Sequence, residues 1–374
     1  MLTGTLIAIS AAGAAENGPK LLPANQDAAA EVSVEETAIA APVADDVTVI
    51  DARDVAPPCD RRAPCCGICF PQDQLWLIST RRLRVCGPSP GEPDVWCYEP
   101  DGGWRTASLQ EFLASDDPAT PTSVWIHGNR TSYGQSRTVG RQVFERLRPW
   151  AATDAPLRLV IWSWPSDRIR GPLNDSRAKA DRSDVDAYHL AAVIDRIDPR
   201  VPVGLVGYSY GARIATGALH MLGGGSIRGN TLDASVVALP RPLRAALLAG
   251  ALNNYWLLPA EMHGRAVPQV ERMLVTKNPS DKVLKYYPIT AYGRIRTGPQ
   301  ALGFYGVPGV GRLGTDSQKV WQLCVTPWVG RDHDLENYVG SSAIMSRVGP
   351  YAMFDGWNID QLELASATEE HVHE

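Results

Sequence analysis

The sequence predicts an α/β protein built on a mostly parallel sheet, on three observations. Strand-like and helix-like stretches alternate through the body of the chain, which implies parallel strands covered by helices. Several strand candidates are short continuous apolar runs rather than alternating ones (SVWIH at 123–127, LRLVIWSW at 157–164, VPVGLV at 201–206), as expected for strands buried on both faces. The stretch 176–197 carries Val185, Leu190, Val193 and Ile197 on one side and many charges opposite, the pattern of a helix lying on such a sheet. The 374 residues, 44% hydrophobic and 21% charged, exclude a chain disordered throughout, a collagen and a polytopic membrane protein. A net charge of −5 offers no electrostatic case for nucleic acid as a main partner.

In chain order, residues 1–15 are uncharged, mostly apolar or small, and end in a small-residue run with Ala12-Gly13-Ala14, a signal-peptide pattern that lacks only a basic start. The stretch is shorter than the roughly 20 residues a spanning helix needs, so no integral membrane span is expected. Residues 16–58 form an acidic, Ala- and Pro-rich linker. From 1 to 58 there are nine acids and two bases, so the acidity of the chain lies in its tails. Residues 59–72 are a cysteine-rich extension. Cys59, Cys65, Cys66 and Cys69, with Cys86 and Cys97, read as a disulfide framework if the compartment is oxidising. Cys66-x-x-Cys69 also has zinc-ligand spacing, and unpaired thiols are the third reading. Leader and cysteines together place the protein outside the cytoplasm, secreted or in the periplasm or cell envelope.

The body, 59–350, reads as one domain followed by a tail at 351–374. The runs 73–80 and 94–98, with the Pro- and Gly-rich 88–93 between, suggest an antiparallel hairpin that brings Cys86 and Cys97 close. Ser108 through Glu111 is a capping box opening a short helix. Strands follow at 123–127, 157–164, 201–206, 245–252, 272–276 and 319–326, with helices at 139–147, 176–197 and 212–222, the last stopped by Gly223-Gly224-Gly225.

In open parallel sheets chemistry lies beyond the carboxyl ends of the strands. There the sequence places Gly207-Tyr208-Ser209-Tyr210-Gly211, directly after an apolar strand and before a helix. This is the context of a nucleophile elbow, in which Ser209 is held on a strained turn. A serine hydroxyl needs a base and the base an orienting acid. Of the histidines beyond Ser209, His220 lies on the following helix, His263 precedes the acid, and His371 and His373 are in the tail, which leaves His333 in the loop after the last strand. Asp281, just past the strand 272–276, is the acid. Asp233 and Asp316 follow no clear strand, and Asp332 and Asp334 are too close to His333 in sequence to reach its ring. Asp281 can also cap the next helix without losing that role. An oxyanion needs backbone N–H donors: the amide of Tyr210 and, from the His127-Gly128-Asn129-Arg130 loop, that of Asn129. His127 orients this loop. Tyr208 and Trp164 are candidate substrate contacts, although aromatics near a sheet end are more often packing residues.

These residues, in this order and context, resemble the α/β-hydrolase superfamily over roughly 73–350. Trp164-Pro165-Ser166, followed by a charged helix and the elbow, is similar to an uncharacterised serine-esterase-like subgroup. The resemblance implies a three-layer fold with an eight-stranded sheet, the first two strands being the hairpin. It implies acyl-enzyme hydrolysis of an ester, thioester or amide in a small-molecule acyl substrate, with no cofactor and no metal. The cysteine segment has no counterpart in the family. Only about twenty residues separate 252 from 272, so an open site is expected, bordered by Tyr255, Trp256 and a mobile stretch 286–310. A non-catalytic binding or scaffold protein on the same fold is the reading from a different class.

Overall fold

A computed structural model of the chain describes residues 72–83, 91–151, 155–232, 241–292 and 299–354. The chain divides into two units, 1–50 and 51–374, and all described residues belong to the second. The expected leader, the linker, the tail beyond 354 and five of the six clustered cysteines lie outside the described residues. The sixth, Cys97, is a thiol, its sulfur 3.9 Å from the Tyr98 carbonyl oxygen.

The fold is α/β, with one nine-stranded, mostly parallel sheet. The strands are β1 (Gln74–Ser79), β2 (Asp94–Glu99), β3 (Gly103–Ala107), β4 (Thr122–Ile126), β5 (Arg158–Ser163), β6 (Val203–Tyr208), β7 (Leu243–Leu248), β8 (Arg272–Lys277) and β9 (Val320–Cys324). Their order is β3-β2-β1-β5-β4-β6-β7-β8-β9. Pairing is parallel everywhere except at β2, which runs antiparallel to both β1 and β3.

The sheet therefore has nine strands, not the expected eight. The addition is β3, a half-exposed edge strand in which Trp104 is paired with Tyr98 and Arg105 with Cys97. Its short Gly-Trp-Arg-Thr-Ala sequence carries no apolar run, because only one side of an edge strand meets the protein. Arg105 keeps a charge on that edge, bonded to Glu99 and Glu111, which discourages edge-to-edge pairing.

The central strands β4, β5 and β6 are buried along their whole length, which is why their sequences run apolar without alternation. Trp125, Trp162 and Trp164 are among the largest fully buried side chains. Helices α2 (Tyr133–Leu147) and α9 (Ser342–Met353) pack on each other, as do α3 (Pro172–Arg196) and α4 (Tyr210–Leu222); α4 and α9 both pack on β6. The arrangement is compatible with a three-layer α/β fold. Ser108 caps α1 (Leu109–Ala114) by accepting the Glu111 N–H, and Ser132 with Gln135 forms a full capping box at α2. The stretch expected to be a mobile loop after 286 contains two short helices, α5 (Tyr287–Tyr292) and α6 (Leu302–Tyr305), with 293–298 outside the described residues.

Strand order decides where a site can form. From β4 the chain crosses to β5 on one side, then returns past β4 to β6 on the other. The carboxyl ends of β4 and β6 thus flank a topological switch point, where the loops diverge and leave a crevice. Gly128 and Ser209 emerge there.

Candidate active site

Ser209 joins β6 to α4 with φ 55° and ψ −115°, a conformation that side-chain-bearing residues rarely adopt. Its neighbours hold it there. The Ser209 N–H donates to the Leu248 carbonyl at 2.9 Å, and its own carbonyl accepts from Ala251 at 3.0 Å and Ala212 at 3.1 Å. The flanking glycines are required by close approach. A Cβ on Gly207 would stand 2.6 Å from the Gly211 carbonyl oxygen, and one on Gly211 would collide with the Ile126 carbonyl.

Three loops converge on the Ser209 hydroxyl. His333 reaches it from the segment after β9, its Nε2 3.1 Å from Ser209 Oγ. Asp281, after β8, stands behind the ring with Oδ2 2.7 Å from His333 Nδ1. Asp281 is fully buried, and its other oxygen accepts the N–H groups of Val283 and Leu284, both at 2.8 Å. The carboxylate is thus at once a turn cap and a partner of the imidazole. An ionised carboxylate only accepts hydrogen bonds, so Nδ1 carries the hydrogen and Nε2 turns its lone pair to the serine hydroxyl. That arrangement can remove the proton from Ser209 as its oxygen attacks an electrophile.

What ties the Asp281 and His333 loops together left no signal in the sequence. Asn278 donates from Nδ2 to the Gly330 carbonyl at 2.9 Å and accepts from the Thr326 hydroxyl at 2.7 Å, while the Lys282 N–H donates to the Arg331 carbonyl at 3.0 Å. Of the competing residues, Asp332 faces Lys282 at 3.7 Å, and His263 is buried with its Nδ1 2.9 Å from the Thr216 hydroxyl; Asp334 stands at the N-cap position of α8 (Leu335–Val339) without a side-chain cap hydrogen bond.

Tyr208 and Trp164 lie beside the site as framework. Tyr208 is 7% exposed and its hydroxyl donates to the His333 carbonyl, while its ring lies 5.4 Å from the imidazole. Burial raises its hydroxyl pKa well above the ordinary value. Trp164 has no exposed surface. Its indole N–H donates to the His127 carbonyl at 2.8 Å and its ring stacks on His127 at 5.8 Å. The sequence marked both as candidate substrate contacts; their polar atoms hold the His333 loop and the β4–α2 loop. Trp256, expected at the border, packs over the Arg213 guanidinium and against His263.

The β4–α2 loop faces Ser209 directly, since a Cβ on Gly128 would stand 3.2 Å from Ser209 Cβ. Burial pushes His127 down to about 3, so it is neutral and braces the loop, bonded through Nδ1 to the Gly128 carbonyl at 2.9 Å. The Asn129 side chain is engaged, with Nδ2 donating to Asp175 at 3.2 Å and Oδ1 accepting the Arg130 N–H at 2.8 Å. What Asn129 has left for an oxyanion is its backbone N–H. Tyr210 is the first residue of α4, and its N–H is one of the first-turn amides with no intrahelical acceptor. Asp175 also went unmarked in the sequence. It is a buried carboxylate that gathers Asn129, Arg130 and the Ile169 N–H.

Among the described residues no cluster of three or more His, Cys, Asp or Glu could hold a metal ion, and no helix is long and apolar enough to cross a membrane. No known family model matches the chain. No curated protein matches it in sequence.

Proposed function

We propose that the chain is a serine hydrolase of the α/β-hydrolase type, cleaving a carboxylic ester or related acyl bond through an acyl-enzyme. The observation that carries this is the continuous hydrogen-bonded line from Ser209 through His333 to Asp281, assembled from three loops at one end of the sheet. A structural serine has no need of a strained elbow, an imidazole and a buried carboxylate in that order.

Ser209 Oγ forms a bond to the substrate carbonyl carbon as its proton passes to His333 Nε2. Asp281 holds the ring and stabilises the imidazolium. The carbonyl electron pair moves to oxygen, where the amides of Tyr210 and Asn129 receive the negative charge. Collapse breaks the bond to the leaving alcohol, which takes the proton from Nε2. Water then repeats the sequence on the acyl-enzyme, and the carboxylic acid departs.

A fluorophosphonate probe tests the core of this reading. The wild type should label and Ser209→Ala should not; labelling that survives the substitution sinks the assignment. A panel of p-nitrophenyl esters of increasing chain length, with a thioester and a peptide alongside, then separates esterase from thioesterase and peptidase action.

A further inference from the structure

Beside the β4–α2 loop lies an open cavity of about 470 Å³, lined by Arg130, Arg168, Ile169, Arg170, Gly171 and Pro172. Three of its six lining residues are arginines. Arg130 is balanced, its Nε 2.9 Å from the buried carboxylate of Asp175. Asp167, the nearest other acid in sequence, is taken by Arg81. Arg168 and Arg170 are exposed and form no ion pair among the described residues. The cavity therefore presents two uncompensated guanidinium groups beside an apolar wall, Ile169, itself 36% exposed.

This cavity is tied to the loop that faces Ser209. Asp175 bonds Asn129 and Arg130 on one side and the Ile169 N–H, at 3.2 Å, on the other, so the arginine-bearing segment and the β4–α2 loop are pinned to one carboxylate. The Tyr210 hydroxyl reaches the same helix, bonded to the Ser176 hydroxyl at 2.7 Å and its carbonyl at 3.0 Å. The cavity thus opens two residues along the chain from Gly128, which packs on Ser209.

We infer that this cavity selects esters that carry an anionic group, a carboxylate or sulfonate, received by Arg168 and Arg170. The inference rests on the hydrolase reading above and names its substrate class. Guanidinium groups match such anions with paired N–H donors and stay charged at every working pH. A buried acid would have cancelled them, and here the only buried acid of the cluster, Asp175, is spent on Arg130 and Asn129.

The test compares p-nitrophenyl hexanoate with two anionic esters of similar size: mono-p-nitrophenyl adipate, charged on the acyl side, and 4-(hexanoyloxy)benzenesulfonate, charged on the alcohol side. The wild type should prefer at least one anionic ester in kcat/KM, and that preference should weaken with salt. In Arg168→Ala/Arg170→Ala the ratio of anionic to neutral kcat/KM should fall about ten-fold, mostly through KM, and Arg168→Lys/Arg170→Lys should recover part of it. The arm that responds tells which side of the scissile bond faces the arginines. A ratio unchanged by the double substitution in both arms overturns the inference while leaving the hydrolase reading intact, provided Ser209 still labels with the fluorophosphonate. A wild type that neither labels nor cleaves the neutral ester overturns both.

Discussion

Replacing Asp281 by asparagine isolates one atom of the site. The Asp281 Oδ1 oxygen accepts two backbone N–H groups, from Val283 and Leu284 at 2.8 Å each, and Oδ2 faces His333 Nδ1 at 2.7 Å. In the asparagine variant the two N–H groups still need an acceptor, so the amide oxygen must occupy the Oδ1 position. The NH₂ is forced to face the histidine. Two donors cannot share a hydrogen bond, so Nδ1 becomes the acceptor and the ring hydrogen moves to Nε2. The imidazole then offers Ser209 a donor where it needs a base. The expected loss is about 10⁴-fold in kcat, the cost of a wrong tautomer, or about 5.5 kcal/mol of barrier. The turn keeps its acceptor, so the thermal midpoint should stay close to that of the wild type. Asp281→Ala strips the turn of that acceptor and should cost a further 0.5–2 kcal/mol or so in stability. Steady-state turnover of a p-nitrophenyl ester and the rate of fluorophosphonate labelling measure the first effect, and thermal melts the second. Asp281→Asn activity within ten-fold of wild type would refute the reasoning.

Tyr208→Phe removes the hydroxyl that donates to the His333 carbonyl; kcat should fall several-fold, for about 1 kcal/mol of lost positioning, with KM unchanged, whereas a rise in KM alone would make Tyr208 a substrate contact. Gly211→Ala drives a methyl group into the Ile126 carbonyl and should cost about 3 kcal/mol, read as a drop in the urea midpoint; an unshifted midpoint contradicts the close packing of the elbow. Acid should unfold the protein early. Burial holds His127 at about 3 and His189 at about 4, and pushes His263 well below the ordinary value, so these groups stabilise the fold above pH 6.5 and lose that contribution as pH falls. Asp186, raised by burial to about 6, opposes them with a contribution that is lost as pH rises through 6. Three refused protons against one extra proton leave a net of about two, so stability should fall by roughly 2–3 kcal/mol per pH unit between pH 6 and 4.5. Urea melts at pH 7, 5.5 and 4.5 check this; a constant or rising midpoint on acidification contradicts it.

The legible parts of this protein are those set by local chemistry. Eight of nine strands were readable, the central ones because strands buried on both faces must be apolar throughout; the first four helices were readable from capping, apolar faces and a glycine stop, whereas α9 (Ser342–Met353) was not read. The elbow was readable because close backbone approach demands glycine at 207 and 211 whatever lies beyond. Chain order and strand ends were enough to single out Asp281 and His333, because a carboxylate and an imidazole can meet a serine only from neighbouring loops at one end of a sheet. β3 escaped because an edge strand needs no apolar run. The functions of Tyr208, Trp164, Asn278 and Asp175 escaped because each depends on a partner distant in the chain: the His333 carbonyl, the His127 carbonyl, the Gly330 carbonyl, and the Asn129 and Arg130 side chains. Residue type by itself says only that these side chains can form hydrogen bonds. Which bonds they form, and so which loops they hold and which arginines are left uncompensated beside the β4–α2 loop, is decided when packing brings the loops together.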